Sequence, residues 1–97
     1  MKSAEKIKEI IAECRPFLEE KFAVETIALF GSYCKGEQSE DSDVDILVSF
    51  SKLIDLFEFV ELENYLSELL GSKVDLVMKD SLKPRIKDNV LKESVTI

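Results

Sequence analysis

The sequence predicts an α/β fold, and three features carry that prediction. Residues 4–22 and 53–70 repeat apolar side chains at helical spacing, while 26–30, 43–48 and 73–78 are short apolar runs of strand length. These segments come in the order helix, strand, strand, helix, strand, then a last short helix, the interleaving that a layered sheet-and-helix structure requires. The order of strands within the sheet is left open by these patterns.

The first helix is read from Ile7, Ile10, Ile11, Cys14, Leu18 and Phe22, with Lys and Glu between them and Ser3 as the opening residue. Pro16 lies inside this pattern and predicts a kink or break near Arg15, because proline removes one helical N–H and crowds the preceding turn. Thr26 to Phe30 ends at Gly31 and reads as a buried strand. Asp43 to Val48 alternates: Val44, Ile46 and Val48 share one face, Asp43, Asp45 and Leu47 the other. In the second long helix Phe59, Leu62, Leu66 and Leu69 form the apolar stripe, and Gly71 is placed to close it. Phe57 and Tyr65 add apolar bulk to that helix; they are read first as a wider core and second as a contact surface. Lys73 to Met78 is a third strand. Ser81 is placed to cap a final helix with Pro84 in its first turn, running to about Lys92, and Ser94 to Ile97 adds a short last strand.

The 97 residues suffice for one compact domain, taken as 1–97, with little room for a separate substrate-recognition lobe. A net charge of −7 argues against grip on a nucleic-acid backbone, so no direct nucleic-acid partner is expected. Residues 73–97 carry six Lys/Arg against four Asp/Glu, and residues 1–72 seven against sixteen. The chain has no His and only two Cys, Cys14 and Cys34, which removes His-dependent triads, Cys–His proteases and His-containing zinc sites. No apolar run has membrane-spanning length and the charged start is not a signal peptide; the expected compartment is the cytoplasm, with reduced thiols.

Three carboxylates stand out. Asp43 and Asp45 are two apart at the head of a strand, so both leave the same face, and like charges that close disfavour joint ionisation unless a cation lies between them. Mg²⁺ is the fitting ion, since it takes oxygen ligands and is held by one or two carboxylates together with substrate phosphates. Asp75 sits between Val74 and Leu76, where burial would be costly for an unpaired charge. If its strand lies beside the second one, it completes a site for two metals. Gly31-Ser32 directly follows a strand, where glycine lets the backbone turn sharply and approach a ligand. A short helix over 32–37 would aim free N–H groups at an anion. Gly31 and Gly36 also have the spacing of a Walker A loop, but Glu37 and Gln38 stand where that loop needs Lys and Ser/Thr.

Gly31-Ser32, ten intervening residues and then Asp43-Val44-Asp45 entering an apolar strand resembles the signature of the polymerase-β-like nucleotidyltransferases. With Gly36, Ser42 and Asp75, the chain is similar along nearly its whole length to the minimal nucleotidyltransferase (MNT) branch. The resemblance implies a small mixed sheet flanked by helices. It also implies that Asp43, Asp45 and Asp75 are the catalytic residues and hold the metals, with Asp75 helping to activate the attacking hydroxyl. Gly31, Ser32, Lys35, Gly36 and Ser42 would bind the nucleotide, ATP being the usual donor. Many relatives carry Arg at the positions of Tyr33 and Lys35; Lys35 can meet a phosphate only as a point charge, without the bidentate fork.

Larger relatives bring an extra domain for the acceptor. MNT chains of this size resemble instead the antitoxins paired with HEPN proteins, all-helical ribonuclease toxins, in which AMP is transferred to a tyrosine of the toxin. The expected function is therefore an AMP-transferring antitoxin of a HEPN partner. The alternative is a binding module that silences the partner by stoichiometric contact without chemistry.

Overall fold

The computed structural model describes residues 4–31 and 43–97. Helix α1 spans Ala4–Phe22 and buries a single stripe, Ile7, Ile11, Leu18 and Phe22. The break expected near Arg15 does not occur: one helix runs through Pro16. Pro16 is exposed, so its ring and missing N–H fall on the solvent side while the buried stripe continues past it. Ser3 lies outside the described residues.

Strands β1 (Val24–Phe30) and β2 (Val44–Phe50) each extend two residues beyond the predicted runs. Helix α2, Leu56–Leu70, starts three residues later than the periodicity predicts. Asp55 sets that start, its Oδ1 accepting the Glu58 N–H at 2.7 Å, and Gly71 ends the helix in the left-handed conformation at φ 66°. Strand β3 (Val74–Met78) leads through a 3₁₀ turn, Lys79–Ser81, into helix α3 (Pro84–Glu93) and strand β4 (Val95–Thr96). Pro84 occupies the first turn of α3 as expected, but Ser81 does not cap it. The Ser81 hydroxyl instead donates to the Met78 carbonyl at 2.7 Å, which holds the 3₁₀ turn.

The sheet is mixed, in the order β3-β2-β1-β4. β2 pairs antiparallel with β1 and parallel with β3, and β4 pairs antiparallel with β1. A parallel pair needs a crossover, and α2 supplies it. One face of the sheet (Ile27, Leu29, Val44, Ile46, Val48, Val74 and Leu76) packs on α1 and on Leu62, Leu66 and Leu70 of α2, forming the core. The side chains of Thr26, Ala28 and Phe30 stand opposite those of Ser49, Leu47 and Asp45 on the other face. The alternation read from β2 holds along the whole strand.

Two further contacts fix the frame. Arg15 on α1 donates to the carbonyls of Glu25 and Ile97 and to the Glu19 carboxylate, tying the helix to the start of β1 and the end of the chain. On the opposite margin, α2 reaches over the edge of β3: the Val74 N–H donates to Ser67 Oγ at 3.1 Å and the Leu76 N–H to Glu63 Oε2 at 3.2 Å. Of the two extra apolar residues on α2, Tyr65 packs against the core beside Phe17 and Phe22, as the first reading has it. Phe57 does not; it is exposed, because it stands on the side of α2 opposite the Phe59, Leu62, Leu66 and Leu70 stripe that meets the core.

Candidate active site

The three carboxylates gather at one end of the β2–β3 pair. Asp45 and Asp75 are direct partners in the parallel register, so both side chains leave the open face on strands about 4.8 Å apart. Asp43 immediately precedes β2, its backbone next to the Val44 N–H that donates to the Lys73 carbonyl at 2.9 Å. The side chains of Asp45 and Asp75 are within hydrogen-bonding reach of each other. Partial burial, then the charges of Asp75 and Asp43, then that hydrogen bond hold the Asp45 carboxyl above its ordinary range.

Burial differs from expectation at one position. Asp75 was expected inside an apolar strand, yet it is exposed, while its neighbours Val74 and Leu76 are buried. The strand is apolar on its core face only, and Asp75 points to the open one.

Gly31 closes the other side. It follows β1, whose last residue, Phe30, pairs with Asp45, and its φ of +78° is one that side-chain-bearing residues rarely adopt. A Cβ at this position would meet the Asp45 carboxylate. The glycine thus serves both the turn and the close approach of backbone to carboxylate. Ser32, Lys35, Gly36 and Ser42, together with Tyr33, Cys34 and the helix predicted over 32–37, lie outside the described residues.

The donor set is oxygen only. Among the described residues no group of three or more Asp, Glu or Cys forms a preformed metal cage. What the site presents is the Asp45–Asp75 pair with Asp43 beside it, which suits an ion that shares its coordination with substrate phosphates. Glu63 was not singled out from the sequence, although it secures the strand that carries Asp75. Its signal was available: Glu63 and Ser67 are one helical turn apart, a polar pair on the side of α2 that meets β3.

No described helix is long and apolar enough to cross a membrane. The family model described as "Polymerase beta, Nucleotidyltransferase" matches residues 5–97. The chain is 50% identical over 97 residues to the protein adenylyltransferase MntA of Thermococcus cleftensis, covering 100% of this chain and 98% of that one. Among solved structures, it resembles a toxin–antitoxin crystal structure with AMP-PNP at TM-score 0.74 and 30% identity, covering 91% of this chain and 69% of the other. A second solved structure is a tri-AMPylated Shewanella oneidensis HEPN toxin in complex with its MNT antitoxin. The match to it has TM-score 0.67 and 25% identity, covering 93% of this chain and 70% of the other. With the mixed sheet, the carboxylates at the head of β2 and β3, and Gly31 at the end of β1, these matches establish that the chain belongs to the polymerase-β nucleotidyltransferase family, in its minimal branch.

Proposed function

We propose that this chain is a cytoplasmic protein adenylyltransferase that moves AMP from ATP onto a hydroxyl of a HEPN-domain toxin, a tyrosine being the expected acceptor, and so acts as the toxin's antitoxin. The observation that carries the reading is the in-register Asp45–Asp75 pair beside Gly31, in a chain half identical throughout to a protein adenylyltransferase.

In this reading the acceptor oxygen forms a bond to the α-phosphorus as the bond to the bridging oxygen breaks, and pyrophosphate leaves with the electron pair. The acceptor's proton passes to the Asp75 carboxylate, which is exposed to an incoming side chain. Asp43 and Asp45 would hold Mg²⁺, two ions in the full site, with Asp75 sharing one of them. When bound, Mg²⁺ supplies neutralisation of charge on the attacking and leaving oxygens. The fit rests on the oxygen-only donors and on the crowding of negative charge that raises Asp45, which a cation relieves. Gly31 lets the backbone approach the triphosphate, with Ser32, Lys35, Gly36 and Ser42 completing the phosphate contacts.

The test is intact-mass spectrometry of a co-expressed HEPN partner after incubation with this protein, Mg²⁺ and ATP. One or more added AMP groups, absent with Asp45→Asn, is the expected result. A partner that stays unmodified yet bound and silenced would replace the transferase reading with the stoichiometric one. The apolar stripe exposed on α2 is the observation that favours that second reading.

A further inference from the structure

Among the described residues the three most exposed large apolar side chains, Leu53, Phe57 and Leu56, lie together. Leu53, Leu56, Phe57 and Val60 are 99, 73, 85 and 43% exposed, and they follow one another through the β2–α2 elbow. None of them serves the core, which α2 enters only from Phe59 and Leu62 onward. Phe50, Leu53, Ile54 and Met78 line a shallow hollow beside this stripe. Four such side chains present on the order of 400 Å² of apolar surface, about half of what one side of a standard interface buries. An ordered patch of that size is a mark of a binding surface.

The charge around the patch selects its occupant. Lys52 adjoins Leu53 and lines the same hollow, but Asp55 precedes α2 and the helix itself carries four Glu and no Lys or Arg, so acid outweighs base around the patch. A second copy docked about a two-fold axis would bring Asp55 and Glu58 against their own equivalents, on a chain whose net charge is already −7. A different protein with an apolar ridge bordered by Lys or Arg meets both features at once.

We propose that the Leu53–Val60 elbow is the docking surface for the acceptor protein, separate from the site of transfer. This inference rests on the adenylyltransferase reading for the identity of that protein. Asp45 and Phe50 lie near opposite ends of β2, roughly 17 Å apart along the strand, so the acceptor protein would reach from the elbow around the sheet to the open face that carries the carboxylates. Docking energy gained at the elbow is the same before and during transfer. It therefore sets the affinity for the partner and not the rate of the bound complex.

The experiment uses the double variant Leu53→Ser/Phe57→Ser with a co-expressed HEPN-domain toxin. Both positions are exposed, so thermal unfolding of the variant should match wild type. Expected are partner affinity weaker by on the order of 100-fold in calorimetry, KM for the partner raised to match, kcat unchanged and MgATP affinity unchanged. Wild-type affinity and KM in the double variant overturn the docking surface while leaving the transferase reading intact. If wild type binds the toxin without modifying it, and the variant loses binding, the docking surface stands and the transferase reading falls. A wild-type dimer in sedimentation that the variant abolishes, with toxin binding unaffected, assigns the elbow to self-association and overturns the proposal.

Discussion

Gly31 and Asp45 meet across the end of the β1–β2 pair so closely that a Cβ on residue 31 would collide with Asp45 Oδ2 and Cγ. Any side chain at 31 therefore forces the Asp45 carboxylate to shift. The left-handed backbone at 31, φ +78°, adds a second and independent demand for glycine.

Gly31→Ala should accordingly cost about 1–2 kcal/mol through the backbone alone, read as a lower urea midpoint. Its larger effect should be on transfer, reduced by on the order of 100-fold because Asp45 is displaced. An alanine variant with wild-type activity would show that Asp45 swings aside without consequence.

Asp45→Asn should abolish transfer yet stabilise the metal-free protein. Asp45's carboxyl is held above 3.8 in the fold, so the folded state binds its proton more tightly than the unfolded state. The stabilising contribution is present in full below 3.8 and is lost as pH rises through the raised value. Thermal unfolding in chelator across that window should decline with pH more steeply for wild type than for the variant, with the variant higher in Tm at neutral pH. Equal Tm values throughout would mean that the crowding of charge is relieved without a metal.

Asp75→Asn should leave the fold within about 0.5 kcal/mol of wild type, since the residue is exposed. If Asp75 takes the acceptor's proton as proposed, kcat should fall by roughly 10²- to 10⁴-fold. Steady-state transfer kinetics at saturating partner will show this, and an unchanged kcat would assign proton removal elsewhere.

Glu63→Ala should cost about 1–3 kcal/mol by leaving the Leu76 N–H without its acceptor. It should also depress transfer, because β3 positions Asp75. Glu63→Gln, which keeps an acceptor oxygen, should recover most of both; if it behaves like alanine, the carboxylate charge matters rather than the hydrogen bond.

Leu66→Ala should destabilise by about 2–5 kcal/mol in urea unfolding, since Leu66 is fully buried between α2 and the sheet. Values under 1 kcal/mol would indicate a core that collapses around the cavity.

The sequence was most informative where a period could be read over several residues. The α1 stripe, the alternation of β2 and the Leu62–Leu66 ladder of α2 all pack as their spacing predicts. The same alternation put Asp45 on the face away from the core. That Asp75 stands beside Asp45 depends on strand order and register, which arise from long-range pairing and leave no local trace. Phe57 was legible too: the period that sets Phe59, Leu62, Leu66 and Leu70 on the core side puts Phe57 on the opposite side of α2, where it is exposed. Pro16 does not break α1, because the packed stripe of Leu18 and Phe22 carries the helix past it.

The contacts that Ser67 and Glu63 make along β3 have a consequence beyond holding that strand. An unguarded margin of a sheet is a template on which another chain can be laid down. Here the outward N–H groups of Val74 and Leu76 are already occupied by side chains of the chain's own crossover helix. The strand bearing Asp75 thus resists recruitment into polymers, and sheet growth is left to the far margin, where β4 offers only Val95 and Thr96.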